Sequence, residues 1–216
     1  MNKLKREESI FFDFDGVIAD SFKVAFDVHK SVFTDMTEND YRQILEGNVN
    51  DWNWSERLAA TGYKGSYNFF DHYLPKMREE VKLFDGMDGV IKNLAQEYNL
   101  FIISSSITHA IQEFLEKYDL ADYFIEIMGN DVHHSKVEKM NTIFSKYDIE
   151  PSHCVFVADT LGDIREAEQA DVGAIGVTWG FNKREQLEKG KYFRIVEQPI
   201  DIQLAIVDYF HDPSSR

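Results

Sequence analysis

The sequence predicts an α/β fold: a doubly wound, mostly parallel sheet forms the core, and an α-helical domain is inserted into it. Three observations support this prediction. Short apolar segments recur along the chain, helix-period segments lie between most of them, and one long interval carries helix signals without a convincing strand signal. We therefore expect a core domain formed by residues 1–19 and 86–216 and a helical domain formed by residues 20–85.

Short runs rich in Ile, Val and Phe carry the strand predictions, because such residues are favoured in buried strands. They occupy residues 9–13, 99–104, 123–127, 153–158, 173–178 and 192–196. Between most of them apolar residues recur at helical spacing, as in Ala110, Ile111, Phe114, Leu115 and Tyr118, in Met140, Ile143, Phe144 and Tyr147, and in Ile164, Ala167 and Ala170. Strands that alternate with helices imply right-handed crossovers, and therefore a parallel sheet with helices on both faces.

The interval 20–85 shows helical spacing in Phe22, Phe26, His29 and Phe33, in Tyr41, Ile44 and Leu45, and in Phe69, Phe70, Tyr73, Leu74 and Met77. Asp20 and Ser21 are expected to cap the first helix and Thr37 the second, while Pro75 is expected to kink or break the third. The many aromatic residues of this interval predict a small core of its own rather than a substrate-facing surface. His29 is interpreted as part of that core or of a helix surface.

The composition indicates a soluble globular protein. A net charge of −15 over 216 residues argues against a nucleic-acid surface, which needs clustered Lys and Arg. No apolar run approaches the roughly 20 residues that span a bilayer, and the charged start MNKLKREESI lacks a hydrophobic signal segment. We therefore expect a cytoplasmic protein without membrane association. Cys154, the single cysteine, is expected to be buried and inert.

The stretch IFFDFDGVIADS sets acidic residues into an apolar run. In a strand, Asp13 and Asp15 lie on the same face, where two like charges repel each other. A cation or a shared proton would offset that repulsion, which predicts a metal or acid/base site. A solvated turn at the end of the strand is the alternative, since Asp is common in turns.

The polar residues at the carboxyl ends of the predicted strands are expected to form a site, because ligands of doubly wound sheets bind there. This set comprises Asp13, Asp15, Ser104, Asp159 and Asp163, with Lys136 at the start of a helix. Such a set is suited to phosphate chemistry. Asp13 and Asp159 could bind Mg2+, one carboxylate could attack phosphorus, and a second could transfer a proton. A hydroxyl and an ammonium group would hold the phosphoryl oxygens.

These motifs resemble those of the haloacid dehalogenase (HAD) superfamily, and the resemblance covers almost the whole chain. Its first motif occurs as FFDFDGVIADS, its second as LFIISSS, its third as Lys136, and its fourth as VFVADTLGDIREAEQADVGAIGVTWG. The resemblance implies a Rossmann-like core in which the helical insertion is a cap.

The resemblance also implies a role for each site residue. Asp13 would be the nucleophile and Asp15 the general acid/base, while Ser104 and Lys136 would bind phosphate. Asp13, Asp159 and the backbone carbonyl of Asp15 would bind Mg2+. Asp163 would orient its neighbours.

Within this superfamily the sequence favours a phosphatase of the phosphoglycolate phosphatase branch. Asp15 occupies a place that haloacid dehalogenases leave without a carboxylate. Sugar-phosphate mutases usually carry a His where Ala25 stands, and phosphonatases a Lys where Asn50 stands. We expect a Mg2+-dependent hydrolase that acts on a small phosphomonoester through an aspartyl-phosphate. A sugar-phosphate mutase and a non-catalytic phospho-ligand binding protein remain the alternatives.

Substrate specificity is expected to depend on the cap. Arg42, Asn48 and Asn50 are candidates for contacts with the substrate, because their segment is expected to face the cleft; ordinary solvated loop residues are the alternative. The expected partner is a small phosphorylated metabolite, and the protein is expected to be a monomer or a homodimer.

Overall fold

The computed structural model describes residues 4, 6–49, 52–61, 63 and 67–212. Its strands, in chain order, are β1 (Ser9–Phe12), β2 (Ala19–Asp20), β3 (Lys82–Leu83), β4 (Asn99–Ile103), β5 (Phe124–Met128), β6 (Cys154–Ala158), β7 (Gly173–Val177) and β8 (Arg194–Val196). Six of them form one parallel sheet in the order β5-β4-β1-β6-β7-β8. The short strands β2 and β3 form a separate antiparallel pair.

The α-helices follow the predicted alternation. They are α1 (Phe22–Val32), α2 (Glu38–Ile44), α3 (Trp54–Thr61), α4 (Phe69–Glu80), α5 (Met87–Glu97), α6 (Thr108–Lys117), α7 (Lys136–Tyr147), α8 (Leu161–Gln169), α9 (Arg184–Leu187) and α10 (Asp201–His211). Short 3-10 helices span Ala121–Tyr123 and Pro151–His153. None of the helices in the described ranges is long and apolar enough to cross a membrane.

The central sheet is buried on both faces. Alternate residues of β1 pack into different apolar clusters: Ile10 and Phe12 into one, and Phe11 into the other. The first cluster includes residues of α5 and α10, and the second includes residues of α7 and α8. Helices therefore cover both faces, and the predicted doubly wound, Rossmann-like core is confirmed.

Helices α1 to α4 form the helical insertion, which we define as residues 20–85. The chain enters it through β2 and leaves it through β3, and these two strands pair Ala19 with Leu83 and Asp20 with Lys82. The sequence predicted no strand between residues 20 and 85, and β3 shows that this was wrong. Two residues are too few to produce a recognisable strand period.

Of the other expectations for the insertion, the cap of α1 and a break at Pro75 were wrong. Asp20 does not cap α1 but lies in β2, and Ser21, at the N-cap position, makes no side-chain capping bond in the described structure. Pro75 does not break α4, which runs continuously from Phe69 to Glu80, while a kink at this proline stays a prediction. The proline removes one backbone donor, while burial of Tyr73 and Met77 on either side holds the helix in place.

The predicted cap of α2 is confirmed. Thr37 accepts a hydrogen bond from the amide of Asp40 at 3.2 Å, and the Asp40 carboxylate accepts one from the Thr37 amide at 2.8 Å. Each residue thus satisfies a backbone donor of the helix start. The prediction that the insertion has a core of its own was wrong: its buried Phe33, Tyr41 and Tyr73 belong to the same apolar cluster as Ile10 and Phe12 of the central sheet, because the insertion packs directly on the core.

Candidate active site

The strand order brings the predicted site residues together. Asp13 directly follows β1, Ser104 follows β4 and Asp159 follows β6, and β1 lies between β4 and β6 in the sheet. The carboxyl ends of three adjacent parallel strands therefore meet at the point where the strand order reverses. Lys136 is the first residue of α7 and Asp163 lies in the first turn of α8, so both side chains start at the same edge.

Lys136 connects two buried carboxylates. Its Nζ lies 3.0 Å from Oδ1 of Asp13 and 2.7 Å from Oδ1 of Asp163, and all three side chains are buried. Burial alone would lower the pKa of Lys136, but the two carboxylates outweigh it and hold this pKa above its ordinary value. The lysine therefore remains a cation in the site.

The Asp13 carboxylate lies in a crowded acidic environment. Its Oδ1 also accepts a hydrogen bond from the amide of Phe14 at 2.8 Å. Burial raises the pKa of Asp13 well above its ordinary value, Lys136 opposes that shift, and Asp163 and Asp159 add to it. Single carboxylate oxygens of Asp13, Asp159 and Asp163 lie within 4.8 Å of one another. Such a cluster needs a counter-charge beyond one lysine.

The Asp159 carboxylate has an unsatisfied oxygen. Its Oδ2 accepts a hydrogen bond from the amide of Phe181 at 2.6 Å, whereas its buried Oδ1 has no hydrogen-bond partner in the described structure. Burial, and after it the charge of Asp163, raise the pKa of Asp159 to about 8. A buried carboxylate oxygen without a donor, beside two further carboxylates, fits a hard cation that takes oxygen ligands. The cluster could therefore hold a metal ion.

Two glycines make room for this carboxylate. A Cβ on Gly16 would lie 2.0 Å from Oδ2 of Asp159, and one on Gly180 would lie 2.2 Å from the same atom. Gly16 also has a φ of +78°, which disfavours any other residue. The glycine after Asp15 in the first motif thus makes room for the Asp159 carboxylate, a role that its position in the sequence did not reveal.

Asp15 is held by two hydroxyl groups that the sequence interpretation missed. Tyr73 of α4 donates to Oδ1 of Asp15 at 2.5 Å, and Ser106 donates to Oδ2. Burial, and then the proximity of Asp15, raise the pKa of Tyr73 well above its ordinary value, so the phenol keeps its proton. Ser106 lies in the quoted run LFIISSS, but no sequence signal pairs Tyr73 with the first strand.

Ser104 is buried at the end of β4, and a second lysine fixes its backbone. Its hydroxyl accepts a hydrogen bond from the Ser106 amide at 3.0 Å. Lys139, one turn after Lys136, donates from Nζ to the carbonyls of Ser104 at 2.5 Å and Gly129 at 3.4 Å. Burial, and after it the charge of Lys136, lower the pKa of Lys139 to about 8. Lys139 thus ties α7 to the strand end.

A cavity of about 400 Å³ opens onto this cluster and reaches beneath the helical insertion. Asn48 lines it and donates to Oε1 of Glu166 at 3.2 Å; the same oxygen accepts the amide of Lys136 at 2.9 Å. Glu166 is a buried cavity residue that the sequence interpretation missed.

Arg42 is not among the described residues that line the cavity, because its guanidinium donates to the Gly180 carbonyl at 3.2 Å. Asn50 lies outside the described residues.

The segment after α2 docks directly on the core. The amide of Gly162 donates to the carbonyl of Leu45 at 3.3 Å, and a Cβ on Gly162 would lie 2.4 Å from the carbonyl oxygen of Gly47. Glu46 forms an ion pair of 2.9 Å with Lys189. Backbone contacts and an ion pair thus hold this part of the insertion over the cavity.

Residues 10–177 match the haloacid dehalogenase-like hydrolase family. The chain belongs to this family. It is 24% identical over 212 residues to the phosphoglycolate phosphatase of Synechococcus elongatus, covering 92% of this chain and 97% of that protein. It is 26% identical over 220 residues to the phosphoglycolate phosphatase of Salmonella paratyphi A, covering 87% of both.

Solved structures share the fold. A protein from Clostridium acetobutylicum described as a predicted phosphatase superposes with a TM-score of 0.76 at 20% identity, covering 94% of this chain and 100% of that one. A haloacid dehalogenase-like hydrolase from Streptococcus pneumoniae gives a TM-score of 0.75 at 19% identity, covering 92% and 98%. The family prediction and the fold prediction are confirmed, and the protein is a HAD-like phosphatase that resembles phosphoglycolate phosphatases.

Proposed function

We propose that this protein hydrolyses a small phosphomonoester metabolite with Mg2+, through an aspartyl-phosphate intermediate. The observation that carries the proposal is the position of Asp13: its carboxylate contacts Lys136 and clusters with the carboxylate of Asp159, whose Oδ1 is unsatisfied. A candidate nucleophile, a fixed cation and an unsatisfied carboxylate oxygen thus lie close together, and Asp13 and Lys136 line the cavity. The phosphoglycolate phosphatases among its relatives support the same reaction type.

In the first step, a carboxylate oxygen of Asp13 attacks phosphorus and the ester P–O bond breaks. Protonated Asp15 gives its proton to the leaving alkoxide, so the alcohol departs neutral. Lys136 holds the phosphoryl oxygens and stabilises their charge, as does the Ser104 hydroxyl. Asp163 keeps the Lys136 ammonium in place through their contact of 2.7 Å.

In the second step, the Asp15 carboxylate takes a proton from water, and the hydroxide oxygen attacks phosphorus. The bond between phosphorus and Asp13 breaks, which releases inorganic phosphate and restores the carboxylate. Asp15 regains its proton in this step and is ready for the next ester. The Tyr73 and Ser106 hydroxyls orient it throughout.

Mg2+ would be held by Asp13, Asp159 and the backbone carbonyl of Asp15. When bound, it neutralises the charge of the carboxylates and of the phosphoryl oxygens. The core, residues 1–19 and 86–216, then supplies the chemistry. The helical insertion acts as a cap that excludes bulk water and provides cavity residues such as Asn48. That the protein is a monomer or a homodimer, and that it lies in the cytoplasm, remain predictions.

The test is phosphate release from a panel of phosphorylated metabolites, 2-phosphoglycolate among them, with Mg2+ and with a chelator. We expect Mg2+-dependent release that Asp13→Asn reduces by about 10³-fold or more, because the amide cannot form the acyl phosphate. Asp122→Asn, at an exposed position remote from the cluster, serves as the control. A parent-like rate for Asp13→Asn would refute the assignment. A sugar phosphate that is isomerised without phosphate release would favour the mutase.

A further inference from the structure

Two sets of residues with different chemistry line the cavity. The core contributes Asp13, Asp15, Ser104 and Lys136, where the phosphoryl group is placed by the proposed mechanism. The helical insertion contributes an aromatic wall, formed by His29, Tyr41, Trp54, Tyr67, Phe69, Phe70 and Tyr73. The volume of about 400 Å³ lies in the range of pockets that hold organic ligands. The cavity therefore offers space and aromatic surface beyond the phosphate.

Four of the rings form a continuous stack. Trp54 lies over His29 with centroids 4.3 Å apart, His29 over Phe69 at 4.5 Å, and Phe69 over Tyr73 at 4.9 Å. Their interplanar angles are 12°, 10° and 17°, so the rings are nearly parallel. The stack ends at Asp15, to which Tyr73 donates its hydrogen bond. The aromatic wall is therefore fixed relative to the proposed proton donor.

Part of this wall remains available to a ligand. Trp54, Tyr67, Phe69 and Phe70 are only half-buried although each lines the cavity. An apolar ring in the cavity would bury part of their remaining surface; it meets Phe69 at the ring edge, because His29 and Tyr73 cover the two faces of Phe69. The buried His29 adds no positive charge at neutral pH, since burial lowers its pKa to about 3. The aromatic wall therefore suits a neutral ring better than it suits a carboxylate.

We propose that the alcohol released from the substrate carries a planar, apolar ring, which packs against Trp54, Phe69 and Phe70 while the phosphoryl group lies at Asp13. This inference rests on the proposed function, which sets the position of the phosphoryl group. It separates the protein from its relatives named as phosphoglycolate phosphatases, because the leaving group of phosphoglycolate is a small alcohol that bears a carboxylate.

The first experiment compares benzyl phosphate, ethyl phosphate and 2-phosphoglycolate with the full chain and Mg2+. All three are esters of primary alcohols, so they differ mainly in the substituent of the alcohol, which would contact the aromatic wall. We expect kcat/KM for benzyl phosphate to exceed that for ethyl phosphate by about tenfold or more, and that for phosphoglycolate by at least as much. Equal values for benzyl and ethyl phosphate, or a preference for phosphoglycolate, would overturn the inference.

The second experiment removes rings one at a time. Trp54→Leu and Phe70→Leu keep an apolar side chain but delete an aromatic face, and each should lower the benzyl-to-ethyl ratio of kcat/KM by about threefold or more. Trp52→Leu is the matched control, since Trp52 is 42% exposed and is not one of the described residues that line the cavity. Circular dichroism checks folding, and Phe70→Leu decides the matter if Trp54→Leu does not fold. Ratios that match those of the control contradict the inference.

A binding measurement separates this inference from the proposed function. Benzylphosphonate and ethylphosphonate cannot be hydrolysed, and calorimetry gives their Kd values directly. We expect benzylphosphonate to bind about tenfold more tightly. If no ester releases phosphate while benzylphosphonate keeps this advantage, the proposed function fails and the aromatic subsite is retained. If ethylphosphonate binds as tightly, the aromatic subsite is refuted whatever the activity.

Discussion

The hydroxyl of Tyr73 donates a hydrogen bond of 2.5 Å to Oδ1 of Asp15. Tyr73 belongs to α4 of the helical insertion, whereas Asp15 lies just after the first strand of the core. The proposed acid/base group is therefore positioned by the insertion that covers it. Movement of the insertion would disturb both access to the cavity and the orientation of Asp15.

Tyr73→Phe should reduce kcat by about tenfold and change KM by less than about threefold, because it removes a positioning hydrogen bond and leaves the ring stack in place. Steady-state kinetics on the best phosphomonoester provide the measurement. Tyr147→Phe is the control, since its hydroxyl donates to Glu126 away from the site. Combining Tyr73→Phe with Ser106→Ala should lower kcat further. A parent-like kcat for Tyr73→Phe would show that Ser106 alone positions Asp15.

Mg2+ should stabilise the folded protein, because the cluster of Asp13, Asp159 and Asp163 lacks a sufficient counter-charge. At about one hundred times Kd, binding adds about 2.7 kcal/mol and should raise Tm by about 5–10 °C. Differential scanning fluorimetry with Mg2+ and with chelator tests this. Asp159→Asn should lose most of the shift, whereas the exposed Asp122→Asn should retain it. A full shift in Asp159→Asn would place the metal elsewhere.

Gly162→Ala should weaken docking of the insertion, since the added Cβ would lie 2.4 Å from the Gly47 carbonyl oxygen. We expect kcat/KM to fall about tenfold, mainly through a higher KM. Gly89→Ala provides a matched control, because Gly89 also lies in a helix and has no atom within 4 Å of the added Cβ. That variant should keep the parent kinetics and gain about 0.5–1 kcal/mol of stability. Identical kinetics for both variants would argue against this docking contact.

His29 should make the protein sensitive to acid. Burial lowers its pKa from 6.5 to about 3, so between these values the unfolded chain binds a proton that the folded protein does not. The free energy of unfolding therefore falls as the pH decreases through this window, by about 2 kcal/mol between about pH 7 and about pH 5.

Urea unfolding of parent and variants at both pH values measures this loss. His29→Phe keeps an aromatic ring between Trp54 and Phe69. Between the two pH values, its free energy of unfolding should fall by about 2 kcal/mol less than that of the parent. His109→Gln, at an exposed position on α6, should lose as much stability as the parent. The prediction is wrong if His29→Phe and the parent lose stability equally.

Strand positions and the core chemistry follow from local patterns. The runs predicted at residues 9–13, 99–104 and 153–158 end within one residue of β1, β4 and β6. Parallel strands present their carboxyl ends together, so the convergence of Asp13, Ser104 and Asp159 could be anticipated. Lys136 was likewise predicted to begin a helix, as it does.

Contacts across long sequence separations were not predictable in this way. Tyr73 donates a hydrogen bond to Asp15, 58 positions earlier in the chain. Glu166 accepts hydrogen bonds from the Lys136 amide and from Asn48, which lies 118 positions before it. Arg42, expected to contact substrate, instead donates to carbonyls near Gly180, 138 positions later. Helical spacing indicates which residues share a face but not what that face meets.

The sequence by itself determined the family, the doubly wound core and the acidic motif that ends the first strand, because these depend on short-range periodicity and residue chemistry. Only the tertiary structure decided how the insertion packs over that motif. In the folded chain, aromatic residues from different helices of the insertion form a stack that ends at Asp15. Such contacts between distant segments depend on the packing of the whole chain.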